Sequence, residues 1–396
     1  MNWKIFATLF LAIFASMLGQ GIVVPLLPVY AHELGASGFA IGVMFGIFSL
    51  SRTAFLPYFG SASDRTGRKP YLTTGLLAYF MASVAYLFCH DVNALIVVRF
   101  FQGIAAAMVL PVAQAYVGEI TPRGKEGFMM GLLNVSLYSG LSAGPLLGGI
   151  TKDTLGIQAS FIGMGLLCLM GFLLCLVFLP PKKDEPLVSR GNVPQRITLF
   201  LRNPHLLGMF LFRFAATMCV GAFWSFAPLI ADTKFELSGS ATGILIMLSV
   251  LISAILTTPM GYLADRFNKR FLLVLGGAIG VISMLFFACS DKSWGLYAAS
   301  ILLGISGGIS VPAMMAMAVF VGRTSTYMGS IISLMSMGHS LGMMTGPILA
   351  GILIDLLNVH LTFLVMSGFL AVMTLVFLPL TSGFEALEKK VLAEQE

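Results

Sequence analysis

The chain has 396 residues, of which 58% are hydrophobic and 10% charged, and its net charge is +6. Soluble domains carry about 25% charged residues, so this composition excludes an ordinary soluble enzyme or nucleic-acid-binding domain. The apolar residues arrive in blocks of about 20, the helix length that crosses a hydrocarbon layer at about 1.5 Å per residue.

In chain order, the blocks predict twelve helical spans. Six lie near residues 5–30, 39–60, 71–90, 93–118, 127–151 and 157–180. After a polar stretch, six more lie near 205–231, 239–261, 271–290, 294–319, 327–355 and 358–380. Helices are expected because every backbone polar group in lipid must be satisfied within its own segment. A membrane β-barrel would instead show short alternating strands, and the sequence has none. The first block follows Lys4 as a secretory leader would, but it is too long and lacks a small-x-small cleavage site. Cys89, Cys168, Cys175, Cys219 and Cys289 fall in or beside apolar blocks without CxxC spacing and read as small hydrophobes. The expected fold class is therefore all-α integral membrane, with a six-helix bundle over 1–180 and a second over 205–380. A cytoplasmic linker over 181–204 joins them and a cytoplasmic tail covers 381–396.

With the amino terminus placed in the cytoplasm, seventeen Lys and Arg residues fall on that side and only Lys152, Lys234 and Lys292 on the other. This bias predicts a multi-pass protein with both termini cytoplasmic. Compact loops point to a bacterial inner membrane. The same asymmetry accounts for the net positive charge, so no nucleic-acid partner is expected.

The two halves repeat. GSASDRTGRK from Gly60 recurs as GYLADRFNKR from Gly261, 201 residues on, and Gly103 and Pro111 recur as Gly304 and Pro312 at the same offset. Gly144-Pro145 recurs as Gly346-Pro347 at 202. Three pairs in register predict two six-helix bundles related by a parallel repeat, with a polar site near the membrane midplane.

On these residues the chain resembles the major facilitator superfamily, specifically its twelve-helix drug:proton antiporter branch. Gly60-x-x-x-Asp64-Arg65-x-Gly67-Arg68-Lys69 is similar to the family's signature loop. LGQGIVVPLLP over 18–28, Arg99-x-x-Gln102-Gly103 and Gly140-x-x-x-Gly144-Pro145-x-x-Gly148-Gly149 resemble motifs of the first, fourth and fifth helices. The resemblance implies alternating access, a role for Arg99 in proton coupling, and a gate latch in the loop at 60–70 rather than a substrate contact there.

Elementary chemistry gives these motifs further content. Gly60 would let its helix end approach a neighbour closely, and Gly67 would permit a positive-φ turn. Asp64 suits a helix N-terminus or a basic side chain, beside Arg65 and Arg68. Asp265-Arg266 repeats the acid-base pair, with Asn268 in place of the second glycine. Glycines four apart make a small face for close packing, and Pro145 and Pro347 favour bends in helices that slide.

Ionisable groups at depth are expensive and mark function by default. All seventeen acids lie in loops or near span ends, whereas Arg52, Arg99 and Arg213 fall within spans. Arg52 and Arg213 sit about eight residues from a cytoplasmic end, which either permits snorkelling or makes a positively lined cavity. His339, with a reference pKa near 6.5, and Glu33 are proton candidates beside Arg99. Gln20, Gln102, Gln114, Asn134 and Tyr138 are expected to line the substrate path, with Phe223, Trp224 and Phe226 offering an aromatic wall against the substrate; Asn134 and Tyr138, four apart, share a helix face.

The expected function is secondary active export of small amphipathic compounds or drugs in exchange for protons, by a monomer surrounded by membrane lipid. The alternative cargo is an organic anion, phosphorylated metabolite or lysolipid held by the intramembrane arginines. No GxxxxGK[ST] loop and no HExxH motif occurs, so neither direct ATP use nor metalloenzyme chemistry is expected, and no cofactor or metal.

Overall fold

The computed structural model of the chain describes residues 3–122, 125–180, 203–323 and 328–384. Nearly all of the expected linker and most of the tail, with Lys182, Lys183, Arg190, Arg196, Arg202, Lys389 and Lys390, lie outside the described residues, as does Arg123.

Among the described residues there are twelve long helices, one short one and no strand. The first half holds α1 (Trp3–Val23), the short α2 (Leu27–Glu33), α3 (Gly38–Thr66), α4 (Arg68–Tyr86), α5 (Val92–Ile120), α6 (Glu126–Leu155) and α7 (Ile157–Phe178). The second holds α8 (Pro204–Thr233), α9 (Gly239–Arg266), α10 (Lys269–Ala288), α11 (Ser293–Arg323), α12 (Met328–Leu356) and α13 (Val359–Leu380). Side-chain caps start several of them: Ser37 accepts from the Ala40 amide, Asp91 from Ala94, Asn268 from Phe271 and Asn358 from Leu361.

Ten segments are long and apolar enough to cross a membrane, counting α1 and α2 as one. The two that fall short are α4, which opens on Arg68 and Lys69, and α6, which carries Asn134, Ser136, Ser139 and Ser142 among its glycines. Their repeat partners, α10 and α12, do qualify, so the shortfall is one of local polarity and leaves the helical repeat intact.

The structure corrects two predicted spans. The block at 5–30 is broken at 24–26, where Pro25 has no N–H to donate and the Leu26 amide reaches only three residues back, to the Val23 carbonyl at 3.0 Å. The helix of the second span runs on past residue 60 to Thr66, so that Arg52 is fourteen residues from either end of α3.

The chain divides into two compact units, residues 1–191 with 224–247 and residues 192–223 with 248–396. In the first, α1 packs on α6 and α7, and α4 on α5 and α7. In the second, α10 packs on α11 and α13, the same pairing one repeat later. The core of the second unit gathers Met209, Phe212, Leu273, Met317 and Phe377, all nearly inaccessible.

Candidate functional site

Inside the first unit, four helices meet around one buried arginine. Arg99 of α5 is 2% exposed. Its Nη1 donates to Gln102 Oε1 at 2.9 Å and its Nε to the Met44 carbonyl at 3.4 Å. The guanidinium also lies over the rings of Phe45 and Phe48, at 4.9 and 4.4 Å from their centroids. The Tyr86 hydroxyl of α4 donates to the same Gln102 oxygen at 2.8 Å, and the Tyr86 ring stacks on Phe161 of α7 at 5.2 Å. Gly103 makes the assembly possible, because a Cβ there would overlap the Ser51 hydroxyl and the Phe48 carbonyl of α3. The charge of Arg99 is thus held by an amide, a carbonyl and two π-faces, with no carboxylate in the set.

Two sequence candidates meet in the second unit. Arg213 of α8 and His339 of α12 are both half-buried, with Nη2 and Nδ1 3.3 Å apart. A guanidinium can only donate, so this contact requires Nδ1 to be the unprotonated ring nitrogen. Thr217 Oγ1 stays close by, donating to the Arg213 carbonyl at 2.8 Å.

The other expected lining residues are scattered. Gln20 is buried, and its amide turns back on Ser16 and Met17 of its own helix. Asn134 and Tyr138 share a face of α6, with Asn134 exposed and Tyr138 half-buried. Trp224 is half-buried. Phe223 and Phe226 are fully buried, and Phe223 packs edge-on against Phe287 at 5.1 Å. They are core residues, not an aromatic wall. Glu33, at the end of α2, is exposed.

The basic loop between α3 and α4 is built around Arg68. Its guanidinium pairs with Asp64 one turn back, with Glu119 at the end of α5 (2.7 Å), and with the Ser63 hydroxyl (2.6 Å). Lys69 Nζ donates to the Leu179 carbonyl at 2.6 Å, at the C-terminal end of α7, where a cation is favoured. Gly67 has φ 97° and ψ 158°, a region open in practice to glycine alone, and it serves as last cap of α3 and first cap of α4. Gly60 does not do what the sequence predicts. A Cβ on it would meet nothing within 4 Å, so no close approach depends on this residue.

The second copy of the loop departs further. Asp265 and Arg266 do not pair; the Arg266 guanidinium lies over the Tyr262 ring at 4.2 Å, and among the described residues no cation pairs with Asp265. Asn268 caps α10 with its side chain, which removes the need for a positive φ. Arg270 takes the place of Lys69, donating to the Leu378 carbonyl near the end of α13 and to Thr381 Oγ1 at 3.1 Å.

Two glycine seams complete the arrangement. A Cβ on Gly144 of α6 would stand 2.5 Å from the Cα of Gly21 in α1, and one on Gly148 would overlap the Ile22 carbonyl. On α12, a Cβ on Gly342 would meet the Phe214 carbonyl of α8 at 2.5 Å, and one on Gly346 would overlap that of Met218. Pro145 and Pro347 lie inside these two helices, and Pro347 packs against Gly221. A second face of α6 meets the start of α9, where Gly149 abuts Gly239 and Gly243 abuts the Pro145 carbonyl. At that end Asp153 accepts from the Gly239 and Ser240 amides at 2.7 and 2.8 Å, and Lys152 pairs with Asp232 at 3.2 Å. Asp153 lies beyond the apolar part of α6. Partial burial would raise its pKa, but hydrogen bonds from Ser240 and Gly239 and the charge of Lys152 outweigh it and hold the carboxyl below its ordinary value.

The sequence model of the Major Facilitator Superfamily matches residues 9–238 and again 209–393, one match for each half. The chain belongs to this superfamily. As a facilitator-superfamily transporter it resembles an uncharacterised MFS-type transporter of Methanocaldococcus jannaschii, at 28% identity over 87% of this chain and 90% of that one. It also resembles multidrug resistance protein MdtG of Salmonella heidelberg, at 27% identity over 93% of each. Its fold is like that of a bacterial homologue of the human lysosomal transporter Spinster, with a TM-score of 0.81 at 13% identity over 98% of both chains.

Several residues of this transporter's clusters carry no local sequence signal. Glu119 looks like one more acid near a span end, and only the fold brings it to Arg68. Tyr79 and Tyr86 look like two more aromatics in an apolar block. Gly239 and Gly243, four apart at the start of α9, are legible as a small face, but their partner on α6 is not.

Proposed function

We propose that this transporter is a secondary active exporter of small amphipathic compounds, driven by protons moving the opposite way through alternating access. The observation that supports it most is the repeated seam. In both halves a proline-containing helix lies backbone to backbone on the first helix of its half, α6 on α1 and α12 on α8. Such contacts lack interlocking side chains, so helices move along them with little repacking. The multidrug relatives support efflux as the direction.

His339 is the proton carrier in this reading. Protonation of Nδ1 replaces its contact with Arg213 by repulsion, so proton arrival and release of the arginine are one event. Arg99, locked among Gln102, Met44 and two rings, is a fixed charge that disfavours a second cation nearby. The Asp64–Arg68–Glu119 network, with Arg65 beside it, acts as the latch, and both termini lie in the cytoplasm.

Inside-out vesicles test this directly. A fluorescent amphiphile should accumulate when a pH gradient is imposed, and a protonophore should abolish the accumulation. Accumulation indifferent to the protonophore overturns proton coupling. His339→Gln should lose gradient-driven accumulation yet keep passive exchange.

A second reading has one specific observation in its favour. Among the described residues no acid lies deep within a span, whereas three arginines do, which suits an organic anion held by intramembrane arginines better than a cationic drug.

A further inference from the structure

Arg52 stands at the midpoint of α3, fourteen residues from either end of the helix. It is half-buried, and among the described residues no carbonyl, hydroxyl or carboxylate accepts a hydrogen bond from it. Next to it, on α4, is Tyr79. Its side chain is fully buried, and its hydroxyl has no hydrogen-bond partner. Of the groups that act electrostatically on this phenol, Arg52 comes first, followed by the Cys168 thiol, Arg99 and the Tyr86 phenol.

The two cations among them can only donate. The groups acting on the two guanidiniums are the phenols of Tyr79 and Tyr86, with no carboxylate among them. Two positive charges thus stand in apolar helices without a counter-charge, beside an unsatisfied donor. A buried arrangement of this kind is costly unless an acceptor joins it. The missing element is an acceptor that carries negative charge and can receive from a guanidinium and a hydroxyl together.

We propose that Arg52 and the Tyr79 hydroxyl form an anion site in the first unit, which takes one oxyanion group, a carboxylate or sulfonate, of an amphipathic ligand. Arg99 supplies a second, fixed positive charge behind it. The inference deepens the anionic-cargo reading and rests on it, but it does not depend on proton coupling.

The test uses the full chain, purified in an uncharged maltoside detergent, and three isosteric probes: 1-naphthoate, 1-naphthylmethanol and 1-naphthylmethylammonium. Calorimetry should show naphthoate as the preferred ligand. Arg52→Gln should weaken naphthoate about tenfold or more, the loss of a charge-assisted hydrogen bond, and leave the alcohol unchanged. Arg52→Lys should restore part of the loss, and Tyr79→Phe should cost about threefold or more. If Arg52→Gln elutes as misfolded protein, Tyr79→Phe, which removes a single oxygen, carries the test alone. Naphthoate bound equally by wild type, Arg52→Gln and Tyr79→Phe would overturn the site and leave an anionic cargo standing. A wild type that does not prefer naphthoate to the alcohol would overturn the anionic-cargo reading itself.

Discussion

At Asp153 one carboxylate does the work of a helix cap for an element more than eighty residues away, receiving the first amides of α9. Those amides belong to the unpaired first turn of a helix, which favours negative charge. Because the folded protein holds this carboxyl below its ordinary value, the stabilisation is complete above the ordinary aspartate pKa, and it disappears as the pH falls through the lower folded one. Wild type should therefore melt above Asp153→Asn at pH 7 and at pH 5, and the gap should close below about pH 3.8. A gap independent of pH would assign the difference to packing. Arg68 makes a different point at the same scale. Its five donors let one side chain hold Asp64, Glu119 and Ser63 together, a geometry that a lysine could not reproduce.

Helices here are matched by their backbones more than by their side chains. Along α6 and α12, Gly140, Gly144, Gly148, Gly342 and Gly346 fall where another helix's carbonyl or Cα would occupy the space of a methyl group. Gly148→Ala should force α6 away from Ile22 and cost about 1–3 kcal/mol, the usual penalty of overpacking, read as a lowered melting temperature. Gly60→Ala lies in open space inside α3 and should instead stabilise by about 0.5–1 kcal/mol through helix propensity. Equal effects of the two substitutions would contradict the seam. The loops show the complementary device. Lys69 and Arg270, one repeat apart, both bond a carbonyl at the end of the last helix in their half, so each loop is tied to its own bundle by a cation on a helix C-terminus.

For the whole molecule the repeat is the organising fact. Helix boundaries recur at an offset of 200 to 203 residues from the end of α3 to the end of α13, and the superfamily model matches the chain twice, over residues 9–238 and 209–393. Two copies of one bundle in a single chain are the parallel internal repeat known from facilitator-type transporters. Topology is tested by single cysteines introduced at residues 190 and 390. Both should react with a membrane-impermeant maleimide only after the cells are opened, and labelling of either in intact cells would invert the positive-inside reading.

Composition alone determined that this is a membrane protein. The apolar blocks, the basic asymmetry and three motif pairs in register determined twelve helices in two related halves, because burial in lipid leaves a strong, one-dimensional record along the chain. Gly67 and the glycine-proline faces were legible for a similar local reason: backbone conformation and helix-surface size belong to a few neighbouring residues. What faces what was not legible. Glu119 on Arg68, His339 on Arg213 and Tyr79 beside Arg52 are set by how separate helices rotate and slide against each other. That rotation also turned Phe223 and Phe226 from an expected wall into core, and left Gly60 in open space. Helix phase is fixed by packing against every neighbour at once, and that information is not contained in any single stretch of sequence.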